Sequence, residues 1–173
     1  MRSIRNFLLL AAFFLTISNV SLAQNRPTHE LHSMMIYNFL KYIQWPGELN
    51  SGDFVIGVIG DDDVYNTLNT WYGNKTRGDK KLIVKKFNSV GDISKCQLLY
   101  VGTSSSGKFD EIKEKTQAFS TLTVTNKNGM GQKGSCINFR VVNNRLKFEL
   151  NEAAIDQNNL KVSSQLKSMA ILI

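Results

Sequence analysis

Short apolar runs alternate with amphipathic segments along most of the chain. Apolar residues at helical spacing predict helices over residues 28–43 and 109–119, and a further helix that begins at Asp61. Short β-branched runs predict strands, which span 54–59, 81–87, 97–101 and 122–125. This alternation is typical of a mainly parallel sheet with helices on both faces.

A period-two pattern replaces this alternation near the C-terminus. Residues 136–142 and 145–150 are joined by Asn143-Asn144, which predicts a β-hairpin with a two-residue type I′ turn. Its register places six apolar side chains on one face, towards the core: Ile137, Phe139, Val141, Leu146, Phe148 and Leu150. Asn151 caps a short helix, and an amphipathic helix over 162–173 closes the chain. The predicted fold is a three-layer α/β domain with a mostly parallel sheet of about six strands, a C-terminal hairpin and a closing helix.

The other face of the hairpin is predicted to point outward, with Asn138, Arg140, Arg145, Lys147 and Glu149 on it. In this register Arg140 lies directly opposite Lys147, and like charges in that position are mildly destabilising. An acidic partner or an anionic ligand would turn this cost into attraction. The simpler alternative is that both side chains extend into water, where salt screens the repulsion.

The N-terminus has the pattern of a cleaved secretory signal. Arg2 and Arg5 precede an apolar run over 7–17, and Ser21-Leu22-Ala23 provides small residues for a signal peptidase. We therefore expect residues 1–23 to be removed and a single domain to span 24–173. An uncleaved N-terminal anchor is the alternative.

Composition narrows the function classes. The whole chain carries 21 basic and 14 acidic residues, and Arg2 and Arg5 belong to the predicted signal. The remaining excess of positive charge is small and dispersed, which argues against nucleic acid as a partner of an exported protein. A chain of this length also excludes a multidomain enzyme.

Two cysteines and two histidines offer few ligands for a metal, and their spacing matches no zinc motif. Cys96 and Cys136 could form a disulfide in an exported protein, and two buried free thiols are the alternative. We expect His29 and His32 to lie at a solvated helix start.

The loop after the 97–101 strand comes close to two catalytic motifs. Gly102 to Lys108 fits the first seven positions of a phosphate-binding P-loop, but Phe109 stands where Ser or Thr would bind Mg²⁺. Ser104 lacks the second glycine of a nucleophile elbow. We expect a strand-to-helix loop, whose backbone amides could still bind an anion.

Ligands of open α/β sheets bind beyond the carboxyl ends of the strands. In this chain those ends place Gly60, Asp61, Gly102 and Ser104 at the candidate site, together with Thr125-Asn126. We interpret Asp61–Asp63 as residues that cap a helix, because they lack the spaced oxygen ligands of a calcium loop. No catalytic residue, cofactor or metal ligand emerges from these patterns.

Five segments in order resemble the YfiR-like family, also called DUF4154. The helix end Tyr37–Pro46, which includes Trp45, is similar to the family's FLKYIxWP motif. The other matching segments are Phe54–Gly60, Cys96–Val101, the hairpin with Asn151–Ala154, and Leu160–Leu166 with Met169-Ala170.

The resemblance implies a periplasmic α/β protein without known catalytic activity. Members of that family repress a membrane-bound diguanylate cyclase by binding its periplasmic sensor domain, and an outer-membrane lipoprotein releases them. Relatives occur fused to sensor kinases, and members tend to form homodimers. Redox state matters for some members with more than one cysteine pair, whereas this chain has a single pair.

The sequence therefore supports three possible functions, in decreasing order of support. The first is a periplasmic regulator of a membrane signalling enzyme, and the second is a periplasmic small-molecule-binding protein. An enzyme comes third, since the sequence shows neither a nucleophile–base pair nor a metal cluster.

Overall fold

The computed structural model describes residues 26–47 and 52–173 of the chain. The predicted signal peptide and its cleavage point lie outside the described residues. The described part contains five α-helices and ten β-strands. The helices are α1 (Thr28–Phe39), α2 (Asp62–Tyr72), α3 (Phe109–Gln117), α4 (Glu152–Gln157) and α5 (Ser164–Met169).

The strands are β1 (Ile43–Gln44), β2 (Phe54–Ile59), β3 (Thr76–Arg77), β4 (Lys80–Phe87), β5 (Leu98–Val101), β6 (Leu122–Thr125), β7 (Ile137–Val142), β8 (Arg145–Leu150), β9 (Lys161–Val162) and β10 (Ile171–Leu172). Eight of them form one sheet in the order β10-β8-β7-β6-β5-β2-β4-β3. Only the β7–β8 and β3–β4 neighbours in this sheet are antiparallel. The predicted mostly parallel α/β fold is confirmed, with eight strands in the sheet where the sequence predicts about six.

Helices cover both faces of the sheet, because successive strand residues point in opposite directions. Val58 and Tyr100 belong to the larger buried cluster, which also contains residues of α1 and α2. Ile59 and Leu99 belong to a separate cluster, together with Ile112 of α3. The sheet is therefore the middle layer of three.

The first helix is shorter than predicted. It ends at Phe39 rather than at residue 43, and the Tyr42 amide donates to the Phe39 carbonyl at 3.0 Å in a tight turn. Ile43–Gln44 then forms β1, which pairs with β9 in an antiparallel two-stranded sheet. Arg77 accounts for this ending, since it donates to the carbonyls of Leu40 and Ile43, at 3.2 Å each.

The predicted final helix over 162–173 is confirmed only in part, since a helix forms over Ser164–Met169 alone. The segment divides into β9, a short helix α5 capped by the Ser163 side chain, and β10. Ala170 is extended, and Ile171 pairs in parallel with Glu149 of β8. The outer edge of β8 offers backbone groups that a strand can satisfy and a helix cannot.

The hairpin has the predicted register, with Phe139 opposite Phe148 and Arg140 opposite Lys147. Asn143 and Asn144 both have positive φ, 50° and 58°, as a type I′ turn requires. The turn residues therefore fix the pairing that the sequence predicts.

The prediction of which hairpin residues are buried is partly wrong. Val141 is 66% exposed and Leu146 is half-buried, because both lie near the tip of the hairpin. Asn138 and Glu149, predicted to face outward, are buried near its base. Asn138 accepts from Thr125 at 2.8 Å and donates to Glu149 at 2.9 Å, so these buried polar groups have partners.

Candidate functional site

The strands β2 and β5 are parallel neighbours in the sheet, and the loops after their carboxyl ends lie side by side. After β2 the chain continues to β4 on one side, and after β5 it continues to β6 on the other, so this place is the switch point of the sheet. Gly60 and Asp61 follow β2, whereas Gly102 and Ser104 follow β5. The structure thus brings together four of the residues that the sequence places at the candidate site.

These two loops contact each other closely. The Ser104 hydroxyl donates to the Gly60 carbonyl at 2.6 Å, and Gly60 has a φ of +77° that favours glycine. A Cβ at Gly102 would collide with the Gly60 carbonyl. Thr103 joins the next loop by donating to the Asn126 side chain at 3.0 Å. The chain itself therefore fills much of the space where a ligand was expected.

A buried polar group lies beneath these loops. The Tyr100 hydroxyl lies 3.1 Å from Nδ1 of His32 and donates to Asp61 Oδ2 at 3.3 Å. The other oxygen of Asp61 accepts from the Val64 amide at 3.0 Å and so caps α2. The imidazole of His32 also stacks on Phe139, with centroids 4.4 Å apart.

Burial keeps His32 and Tyr100 neutral. It lowers the pKa of His32 to about 4, although the nearby Asp61 carboxylate opposes the shift. Burial, and then the same carboxylate, raise the pKa of Tyr100 above its ordinary value. We therefore interpret the three side chains as a structural connection between α1, β5 and the start of α2.

The buried position of His32 contradicts the expectation of a solvated helix start. A signal for it exists in the sequence, since His32 stands four residues before Ile36 and so falls on the apolar stripe of α1. The half-buried His29 does not share this position.

The three hairpin cations lie away from these loops, because β6 separates β5 from β7. Arg140 donates to Glu149 at 2.8 Å, and the Glu149 side chain is only 2% exposed. The buried Glu149 carboxylate therefore accounts for the cation at Arg140, for which the sequence suggested an acidic partner, an anionic ligand or water. Arg145 and Lys147 are exposed.

Trp45 anchors the turn at the end of α1. Its indole nitrogen donates to the Gln97 carbonyl at 2.8 Å, and its ring meets Phe54 edge-on at 5.0 Å. The Arg77 guanidinium lies 5.0 Å from the Trp45 ring centroid and 4.9 Å from that of Phe54. Pro46 follows directly and is half-buried. The structural role of Arg77 could not be recognised from the sequence, because a cation in a polar turn resembles a solvated residue.

The two cysteines are free thiols, so the disulfide considered from the sequence is not formed. Cys96 belongs to the smaller buried cluster and Cys136 to the larger one. Burial raises the pKa of Cys96 to about 12 and also raises that of Cys136. Neither thiol has the thiolate character that reactivity requires.

Within residues 26–47 and 52–173, no cluster of three or more His, Cys, Asp or Glu side chains could hold a metal ion. No helix in the same ranges is long and apolar enough to cross a membrane.

Comparisons with known proteins complete the description of the site. The sequence profile of the family described as DUF4154, YfiR/HmsC-like, matches residues 29–171. A solved structure of a conserved domain protein from Vibrio cholerae O1 biovar El Tor strain N16961 is similar in fold, with a TM-score of 0.57 and 10% identity. The match covers 83% of this chain and 59% of that one, so the chain spans little more than half of the solved protein. No curated protein matches the sequence.

Proposed function

Because the chain belongs to the YfiR/HmsC-like family, we propose that it is a periplasmic regulatory protein that binds and controls a membrane-bound signalling enzyme. The family match over residues 29–171 is the observation that carries the proposal, since this family is known for periplasmic regulators. The partner is the periplasmic domain of a diguanylate cyclase or of a sensor kinase. Export through a signal over residues 1–23 is part of the proposal.

Binding that distinguishes two states of a partner is enough to regulate it. If the protein binds the inactive state of the enzyme more tightly than the active state, it shifts the equilibrium towards inactivity. An outer-membrane lipoprotein that competes for the protein would reverse the shift. This mechanism requires no catalytic residue, cofactor, metal or nucleic acid.

The polar groups at the switch point support binding over catalysis. The hydroxyl of Ser104 donates to the backbone, and His32 is buried against Tyr100 and Phe139. Nucleophilic catalysis would need a nucleophile that substrate can reach, within hydrogen-bond distance of a base. Here the Ser104 hydroxyl instead joins one loop to another, and His32 belongs to the buried packing.

Small-molecule binding, the second function considered from the sequence, has less support at this position. The loops after β2 and β5 approach so closely that neither Gly60 nor Gly102 has room for a Cβ. A ligand at the switch point would have to displace these contacts.

Cross-linking in intact cells tests the proposal. An affinity-tagged protein with its natural leader is cross-linked in the envelope, purified and analysed by mass spectrometry, with an unrelated exported protein as the control. We expect enrichment of one membrane signalling enzyme, and a changed level of its product in cells that lack the protein. Absence of any such enzyme, or an unchanged product level, would overturn the proposal.

A further inference from the structure

A groove of about 540 Å³ lies between the end of α1 and the β3–β4 hairpin. Tyr37 of α1 and Lys41 of the turn after it line one side, and Thr76 and Arg77 of β3 line the other. We infer that this groove is the docking surface for an acidic segment of a partner protein. The inference rests on the proposed function and names the surface through which it would act.

Two lysines are held beside an aromatic pair at this groove. The rings of Tyr37 and Tyr72 stack with centroids 4.0 Å apart. The Lys75 ammonium lies 5.5 Å from the Tyr37 centroid and 5.0 Å from that of Tyr72. The Lys41 ammonium lies 5.9 Å from the Tyr37 centroid and donates to Asn38 at 2.9 Å. The cation–π contacts therefore place both ammonium groups close to the Tyr37 ring.

Arg77 supplies a third positive charge with a fixed position. Its Nε and Nη2 atoms donate to the carbonyls of Leu40 and Ile43, while its guanidinium lies over the rings of Trp45 and Phe54. These contacts hold the guanidinium in place but include no carboxylate. Among the described residues, no carboxylate pairs with Arg77 in the wall of the groove.

Four of the basic residues in the described chain have an acidic partner. These ion pairs are Arg26–Glu30, Lys86–Asp62, Arg140–Glu149 and Lys167–Glu152. None of them includes Lys41, Lys75 or Arg77, and Asp79 is the one acidic residue in the described lining of the groove. The described lining of the groove therefore has more basic than acidic side chains.

A cation–π contact explains why an ammonium rests on a ring, but it does not cancel the charge. A carboxylate on a partner would cancel it and would also accelerate the encounter. Tyrosine and arginine are the residue types most often found at the energetic centre of protein interfaces. The groove presents Tyr37 and Arg77 together with the positive charge of Lys41, which favours an acidic protein segment as the occupant.

The hairpin face is a weaker candidate for the same role. Arg140 is already paired with the buried Glu149, so the hairpin keeps only the positive charges of Arg145 and Lys147. These two residues have no aromatic platform among the ring contacts of the described chain. The two surfaces can be distinguished by experiment.

Nuclear magnetic resonance with a defined peptide tests the inference. The probe is a blocked decapeptide with four glutamates and one tyrosine, and its counterpart carries glutamine in place of each glutamate. We expect the glutamate peptide to shift the amide signals of Tyr37, Lys41 and residues 75–80 of the ¹⁵N-labelled protein. Its dissociation constant should rise with salt, and the glutamine peptide should bind at least about tenfold more weakly.

The variant Lys41→Gln/Lys75→Gln removes two charges from exposed side chains, so it should fold as the wild type does. It should bind the glutamate peptide at least about fivefold more weakly. Lys127→Gln/Lys133→Gln removes the same charge from another exposed segment and should bind within about twofold of wild type. Equal loss in both variants, or signal shifts confined to Arg145 and Lys147, would overturn the inference.

Two further comparisons close the test. Inorganic phosphate that produces the same shifts at the same affinity would overturn the assignment to a protein segment, since any small anion would then suffice. In the cross-linking experiment, Lys41→Gln/Lys75→Gln should recover markedly less of the membrane enzyme than wild type. Equal recovery would refute the docking surface and leave the proposed function intact. No recovery even with wild type would refute the proposed function.

Discussion

The hydroxyl of Tyr100, on the central strand β5, lies 3.1 Å from Nδ1 of His32 on the first helix, 68 positions earlier in the chain. Both side chains are buried, and Asp61 completes the group from the start of α2. One hydrogen-bonded group therefore links a helix to the sheet at the switch point, and its burial gives the protein a specific sensitivity to acid.

Acid should destabilise the protein through His32. Its pKa is about 4 in the folded chain against an ordinary 6.5, so the unfolded state binds more protons between these values. The free energy of unfolding should therefore fall as pH drops from about 7 to about 4, by about 2–3 kcal/mol from this residue. Urea unfolding across that range measures the slope.

Two substitutions separate His32 from the carboxylates that also titrate in acid. His32→Gln should flatten the pH dependence relative to wild type, whereas His29→Gln should change it much less, because His29 acts on the pKa of His32 only as the smallest of its three causes. If both variants kept the wild-type slope, His32 would not be the source of the effect.

Trp45→Ala should lower the free energy of unfolding by about 3–5 kcal/mol, since it removes a buried ring that packs on Phe54 and Arg77. Trp45→Phe keeps a ring and loses the hydrogen bond to Gln97, so it should cost less. Chemical denaturation measures both. An unchanged stability in Trp45→Ala would show that the residue serves binding instead of packing.

Gly102→Ala should destabilise the switch-point loops by about 2–4 kcal/mol, because its Cβ would collide with the Gly60 carbonyl and with Asp61. Gly107→Ala is the matched control from the same loop, where a Cβ meets nothing within 4 Å. Its stability should lie within about 0.5 kcal/mol of wild type. Thermal unfolding of both variants decides whether these loops are as closely packed as described.

The sequence pattern was sufficient to predict most of the sheet and the place where its loops meet. Alternating elements imply parallel strands, and the carboxyl ends of parallel strands share one edge, which brings Gly60 and Gly102 together. The strands β1, β3, β9 and β10 could not be predicted, because each has two residues and a period cannot be read from two residues.

The errors at individual side chains have a different cause. Glu149 alternates with apolar neighbours and so resembles a solvent-facing residue, yet Asn138 and Arg140 satisfy its carboxylate in a buried position. Arg77 looks like a turn residue, and only the folded chain shows that it caps the end of α1. In both cases long-range hydrogen bonds override the local pattern.

Arg140→Gln should lower the free energy of unfolding by about 1–3 kcal/mol, because it leaves the buried Glu149 carboxylate without its cation. Lys147→Gln should have little effect, as Lys147 is exposed. Denaturant titration of the two single variants provides the comparison. Equal stabilities would mean that the Arg140–Glu149 pair contributes nothing and that the hairpin cations are equivalent.

Both thiols should be inert in the folded protein. Burial raises the pKa of Cys96 to about 12, so almost no thiolate is present at neutral pH. Iodoacetamide should therefore modify neither Cys96 nor Cys136 until the chain is unfolded in urea, and then both. Modification of the native protein, or a chain that takes up no label in urea without reductant, would contradict the assignment of two buried free thiols.

We propose that this protein changes the activity of a membrane signalling enzyme by binding its periplasmic domain. The most direct measurement is the catalytic rate of the cross-linked enzyme, purified in lipid nanodiscs, as the protein is added to the periplasmic side. We predict a saturable change in rate at one protein chain per binding site, which Lys127→Gln/Lys133→Gln reproduces. A catalytic rate that stays constant while the protein is bound would contradict this proposal.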